Sequence, residues 1–216
     1  MTPERVERIS SVLNKRQPDL TVSTEEVHKQ RNIAAIVRKC DAVGIDTVQC
    51  VMPREGDQVY RGTAASANKW VEQCHYSTVQ EPIDQLKAKG VQIVAAHLCD
   101  TAIDYRDIDF TKPTAVLMGA EVEGVSEESM GMVDHAVIVP MMGMVESYNV
   151  SVACALILAE AQRQREGAGF YSERRLSEEL YKKRFFCWAH PKLAEMCDRE
   201  GLMYPPVDEE GEVIAL

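Results

Sequence analysis

The sequence predicts an α/β fold, a mostly parallel sheet with helices on both faces. Helix-type and strand-type segments alternate from about residue 20 to residue 166. The strand segments are continuous apolar runs, as strands covered on both faces require. A chain of 216 residues, 45% hydrophobic and 27% charged, suits one such domain with short appendages.

Residues 3–16 read as a helix, with Val6, Ile9, Val12 and Leu13 at helical spacing and Pro18 ending it. The stretch LTVSTEEVH (20–28) is partly strand. Arg31 to Val43 reads as a helix, with Ile33, Ile36 and Val37 on one face and Gly44 closing it. TVQCVM is a strand stopped by Pro53, and helix 81–89 ends at Gly90. VQIVAAHL and PTAVLMG are buried strands, Glu127–Met132 a short helix and HAVIVP a further strand. A helix over 147–166 ends near Gly167 and Gly169, and two more follow at 176–187 and 191–200. The acidic tail VDEEGEVIAL reads as loose. This divides the chain into an N-terminal helical arm (1–20), a central domain (21–168) and a C-terminal helical extension with its tail (169–216).

No apolar run reaches the roughly 18 residues of a membrane span, and MTPERVERIS lacks a signal-peptide core. Seven cysteines, an odd number without a Cys-x-x-Cys pair, point to free thiols in a reducing cytoplasm. No Cys/His spacing predicts a metal site. The net charge of -10 argues against nucleic acid, but the charge is uneven. Residues 1–39 hold 8 basic and 5 acidic side chains; the rest hold 16 and 29. A basic cluster recurs in ERRLSEELYKKR. Each cluster alone reads as a solvated helix face; together they mark two basic appendages on an acidic core.

Three segments carry candidate chemistry. In RNIAAIVRKCDAVG, Asn32 and Arg38 lie six apart, about 120° around a helix. Asn32 reads as a cap at the helix start and Arg38 as a surface cation, unless both face a ligand. In VLMGAEVEGVS a buried strand runs into Gly119, Glu121 and Gly124. Glycine at a strand's C-terminal end lets backbone approach a ligand, and ligands of open α/β sheets bind there. Glu121 reads as a ribose ligand, a base or a loop-orienting residue, and the motif also reads as an ordinary turn. Neither a phosphate loop nor a G-x-G-x-x-G motif is present. In IVPMMGMVESYNVSVACALILAEAQRQR, a strand end and a Met/Gly loop lead to Ser147 and Asn149 at the mouth of an apolar helix. Such a mouth suits a ligand at the positive end of the helix dipole, or a plain cap. Residues 150–159 are apolar almost all round, so one side of this helix is expected to meet a second subunit.

In this order and spacing the three segments resemble the three motifs of the SpoU branch of the SPOUT methyltransferase superfamily. The resemblance covers about residues 20–170 and extends to RQPDLTV, EVHK, YRDIDFTKPT and EAQRQREGAGFY. Tyr148 stands where the family has Leu, Glu123 adds an acid, and Lys29-Gln30-Arg31 replaces Lys-Pro-His. The resemblance implies a deep C-terminal trefoil knot, bound S-adenosylmethionine and a homodimer completing its site across the interface. It implies 2'-O-methylation of a tRNA guanosine, position 18 of the D-loop, with no metal needed at the methyl group. Arg38, Asn32, Glu121, Ser147 and Asn149 are then the catalytic set. Ala96, His97, Gly119, Ile138, Val139, Met141, Ser147 and Tyr148 are expected at the cofactor. RNA is expected at Arg8, Lys15, Arg16, Lys29, Arg174, Arg175, Lys182 and Lys183. The alternatives are a ribosomal RNA methyltransferase of the same fold and an RNA- or cofactor-binding relative without catalysis. An arm of about 20 residues favours tRNA over the first, and the intact motif residues disfavour the second. A flavodoxin-like module would lack the Ser-x-Asn helix entrance.

Overall fold

The computed structural model describes residues 1–51, 69–121, 123–208 and 210–214. The expected stop at Pro53 lies outside them. Helix α1 (Pro3–Leu13) precedes β1 (Leu20–Glu25), α2 (Gln30–Ala42), β2 (Thr47–Val51) and β3 (Glu72–Tyr76). Then come α3 (Gln80–Ala88), β4 (Gln92–Ala96), β5 (Ile103–Asp104), a 3-10 turn (Tyr105–Asp107), β6 (Thr114–Met118) and α4 (Glu127–Met130). The chain continues through β7 (His135–Ile138), α5 (Val150–Gly167), α6 (Glu178–Ala189) and α7 (Pro191–Glu200).

The strands form one sheet in the order β3-β2-β1-β6-β4-β7-β5, and every described strand pair is parallel. Side chains alternate across it with period two. Leu20, Val22, Val48, Val94, Val116, Met118 and Val137 join one core with Ile36, Val37 and Cys40 of α2 and Cys154, Ile157, Leu158 and Ala161 of α5. Ile93, Ala95, Ala115 and Leu117 join the other with Val79, Ile83 and Val125. Helices therefore cover both faces. The topology has one unusual step. After β4 the chain leaves a one-strand gap, lays down β5, crosses to β6, and returns β7 into the gap.

Met1–Gln17 and Gly169–Leu216 group into one compact unit, and Pro18–Ala168 into another. In the first unit, α1 packs on α6 through Ile9 and Leu13. Arg5 donates to the Trp188 carbonyl at 3.1 Å, and Gln17 to that of Phe170 at 3.0 Å. The arm and the extension thus share one core. Arg16, expected on the RNA surface, is fully buried with its guanidinium 5.0 Å from the Trp188 ring centroid. The sequence did not separate it from exposed Lys15, because the partner of a cation-π contact lies 172 residues away. The described residues of the tail, 207–208 and 210–214, are held rather than loose. Val207 pairs with Val213, Gly211 is buried, and the Gly211 carbonyl lies 2.7 Å from His190 Nε2.

In the second unit, the last turn of α5 is anchored by Arg165, which is fully buried. It donates to the carbonyls of Phe110 (2.9 Å) and Lys112 (3.0 Å) and pairs with Asp19 at 2.7 Å. All seven cysteines are free. Burial pushes the Cys154 thiol up to about 12 and Cys50 up to about 11, which makes both inert core thiols.

Candidate active site

The C-terminal ends of β4, β6 and β7 open onto a cleft of about 560 Å³. Ala96 ends β4, and His97 and Leu98 follow it; Gly119, Ala120, Glu121, Glu123 and Gly124 follow β6; Val139 to Met141 follow β7. Glu146 to Asn149 and the first turns of α5 close it, and Lys29 stands at its edge. It sits where a parallel sheet presents strand ends to a ligand.

The loop after β6 is folded tightly. Ala120 and Gly124 exchange N–H···O bonds of 2.9 and 3.0 Å. A Cβ on Gly119 would lie 2.1 Å from the Gly124 carbonyl carbon. Gly124 has φ 72°, and a Cβ there would lie 2.9 Å from His97 Nδ1. Both glycines are required by geometry, not by a generic preference for turns.

The turn so formed presents Glu121. Its Oε1 accepts from Asn32 Nδ2 at 2.7 Å, and Asn32 Oδ1 accepts from Asn149 Nδ2 at 3.3 Å. Asn149 Oδ1 in turn accepts from the Ser151 N–H (3.0 Å) and hydroxyl (2.8 Å). Three segments distant in sequence are joined by one chain of amide and carboxylate bonds. Burial acts to raise the Glu121 carboxyl. The Asn32 bond, backbone donors including Lys29, and the Lys29 charge outweigh it, and the group is lowered below its ordinary range.

Asn32 is not the helix cap. Helix α2 starts at Gln30 with Lys29 in the cap position, so Asn32 lies in the first turn with its side chain buried against the loop. Asn149 does cap α5, which begins at Val150 rather than 147. Ser147 and Tyr148 precede the helix and line the cleft. Arg38 lies further along α2, exposed, outside the residues that line the cleft. All eight positions expected at the cofactor line the cleft: Ala96, His97, Gly119, Ile138, Val139, Met141, Ser147 and Tyr148. Sequence reasoning missed Met118, Glu146, Ala153 and Ile157. Met118 ends its strand one residue before Gly119, and Ile157 lies two helical turns beyond Val150, signals that were available.

The SpoU rRNA methylase family model matches residues 19–159, and a C-terminal SpoU model matches 163–216. The chain belongs to this family. It is 45% identical over 217 residues to an Escherichia coli (strain K12) tRNA (guanosine(18)-2'-O)-methyltransferase, covering 100% of this chain and 95% of that one. A crystal structure of an A. aeolicus TrmH/SpoU tRNA modifying enzyme superposes with TM-score 0.77 and 36% identity, covering 93% of this chain and 98% of that one. The SpoU methyltransferase AviRb from Streptomyces viridochromogenes, solved with the cofactor AdoMet, superposes with TM-score 0.62 and 25% identity, covering 71% and 59%. The SpoU cleft of this chain has the composition a nucleoside sulfonium needs. Apolar Leu98, Met118, Val137, Ile138 and Ile157 suit an adenine, strand-end backbone suits polar edges, and carboxylates at Glu121, Glu123 and Glu146 suit positive charge. Among the described residues, no group of three or more His, Cys, Asp or Glu is placed to hold a metal ion. No helix among them is long and apolar enough to cross a membrane.

Proposed function

We propose that this protein is an S-adenosylmethionine-dependent methyltransferase that modifies a guanosine ribose 2'-oxygen in tRNA, at position 18 of the D-loop. The observation that carries the reading is the chain Glu121–Asn32–Asn149, which joins the three family motifs beside the cleft. Full-length likeness to tRNA enzymes favours tRNA over ribosomal RNA.

The cofactor, when bound, supplies an activated methyl on a sulfonium. Ala96, His97, Gly119, Ile138, Val139, Met141, Ser147 and Tyr148 hold it. Arg38 binds the phosphate next to the target ribose and stabilises the developing alkoxide, the proton passing to that phosphate. A guanidinium stays protonated in proteins, so stabilisation is favoured over a base role. Asn32 orients the ribose or Arg38, and Glu121 and Asn149 fix Asn32. RNA contacts fall to Lys29 and to the exposed cations Arg8, Lys15, Arg174, Lys182 and Lys183, with partly buried Arg175 beside them.

The return of β7 into the gap between β4 and β5 supports a deep trefoil knot. Exposed Met142, Met144, Val145, Tyr148 and Val152 support a homodimer built on the loop and α5. Free cysteines and an RNA substrate support a cytoplasmic location. The test is to incubate the protein with S-adenosylmethionine and separate tRNA and ribosomal RNA transcripts, then map alkali-resistant linkages. A 2'-O-methyl removes the hydroxyl that attacks the neighbouring phosphate. Resistance at D-loop guanosine 18 is expected. Resistance in ribosomal RNA alone, or nowhere, rejects the assignment.

A further inference from the structure

Resting on that reading, we propose that Glu25, outside all three motifs, is the positioning residue that sets the cofactor-side loop after β6. Glu25 is the last residue of β1, the strand paired with β6 on the side away from β4. Its side chain is 6% exposed. Three donors from one short segment converge on it. Oε2 accepts from the Ser126 N–H at 3.1 Å; Oε1 accepts from the Ser126 hydroxyl at 2.6 Å and the Ser129 hydroxyl at 2.7 Å. Ser126 also caps α4, its hydroxyl accepting from the Ser129 N–H at 3.1 Å.

The segment Glu25 grips begins two residues after Gly124, which closes the turn that presents Glu121. On the opposite side of β6, His97 follows β4, and its Nδ1 accepts from the Val125 N–H at 3.3 Å. The loop is thus held from both neighbouring strands, by Glu25 on one side and His97 on the other. His97 lines the cleft and Glu25 does not. Buried and outside the cleft lining, Glu25 acts through the loop. The backbone fixes its aim. Glu26, immediately after it, has φ 50°, the one positive value among the described non-glycine residues. A side chain bearing Cβ adopts that conformation at a cost, which surrounding contacts must offset.

All three groups facing Glu25 donate, and a carboxylate accepts them without any of them turning. Glu25→Gln removes the charge and keeps an oxygen for one side only; its N–H₂ faces either the Ser126 N–H, which cannot accept, or the hydroxyls, which must rotate to accept. The expected result is a rise of about tenfold in the Kd and KM for S-adenosylmethionine, the scale of one charge-assisted hydrogen bond, with a smaller fall in kcat and an unchanged KM for tRNA. Ser129→Ala keeps both bonds to Ser126 and should raise the same KM by about threefold or less. A residue that only adds stability would lower Tm and leave both constants at their wild-type values well below it.

The experiment is calorimetric titration of S-adenosylmethionine into the full chain, with steady-state methylation of tRNA transcript, for wild type, Glu25→Gln and Ser129→Ala. Wild-type affinity and KM in a folded Glu25→Gln protein overturn the role assigned to Glu25 and leave the proposed function standing. A wild-type protein that takes up no S-adenosylmethionine removes both. If Glu25→Gln does not fold, Ser126→Ala decides, read against Ser129→Ala, because it keeps the main-chain N–H and loses the hydroxyl that donates to Glu25 and caps α4. Its KM for the cofactor should rise severalfold, and an unchanged value counts against Glu25.

Discussion

Asn32 makes its hydrogen bonds where a cap would have made different ones. An amide donates and accepts at once, and here it donates to Glu121 and accepts from Asn149. Asn32→Asp would set a second carboxylate against Glu121, so it should lower kcat/KM more than Asn32→Ala, by at least about tenfold between the two. Equal losses would mean that Asn32 acts on RNA and not through Glu121. The same bond carries a pH signature. Glu121 is lowered in the fold, so its ionised form stabilises the folded chain. That contribution is complete above the ordinary range near 4.5 and is lost as pH falls through the lower folded value. Acid unfolding followed by circular dichroism should therefore begin at higher pH in Asn32→Ala. Arg38 differs, being exposed and outside the cleft lining. Its removal should spare cofactor affinity measured by calorimetry and raise the reaction barrier by about 2–3 kcal/mol, roughly a hundredfold in rate. Arg38→Lys should recover only part, because an ammonium lacks the planar fork. A near wild-type rate in Arg38→Ala would make it a solvated helix cation.

The elements that the sequence made legible are the ones with one strong signal each. Strands β4, β6 and β7 are apolar runs, β1 and β2 carry apolar residues at alternate positions, and each helix carries periodic apolar positions, a cap or a breaker. Strand β3 was passed over because EQCHY has one apolar ring among polar neighbours and sits at the sheet's edge, where burial is partial. Strand β5 has only two residues and exists because β7 pairs with it. The candidate site was legible in its parts, but the bond between Asn32 and Glu121 spans 89 residues, and no local pattern encodes it. The loop after β6 is where an element fails most abruptly. Gly119→Ala puts a methyl 2.1 Å from backbone rather than from a side chain that can move. Calorimetry should find S-adenosylmethionine binding abolished, and an intact isotherm would show that the loop can open. Helix α5 fails differently, through its far end. Arg165→Met leaves Asp19 and two carbonyls without their buried donor, and urea unfolding should lose about 3 kcal/mol. A loss under about 1 kcal/mol would mean that water replaces the guanidinium there.

Charge is shared unequally over the whole molecule, and this bears on how an acidic protein meets RNA. Met1–Gln17 with Gly169–Leu216 holds 11 basic and 12 acidic side chains, while Pro18–Ala168 holds 13 and 22. The excess negative charge lies in the unit that carries the cleft. In the other unit, Arg174, Arg175, Lys182, Lys183 and Arg184 cluster within eleven residues. Arg184 is buried, while Arg174 and Lys182 share Glu178 at 2.6 and 3.3 Å. Exposed pairs of this kind contribute little to stability, so phosphate can displace Glu178 as their partner. Phosphate contacts release counterions, and log affinity falls with log salt at about 0.7–0.9 per contact. Neutralising Arg174, Arg175, Lys182 and Lys183 to Gln should weaken tRNA binding and make that slope shallower by about two to four. Affinity for S-adenosylmethionine should not change. Filter binding from low to moderate salt measures the slope, and calorimetry serves as the control. A slope equal to the wild type's would place the phosphate contacts elsewhere, with Arg8 and Lys15 of the arm and Lys29 at the cleft as the next cations to neutralise. A shallower slope accompanied by weaker cofactor binding would mean instead that the substitutions disturb the fold.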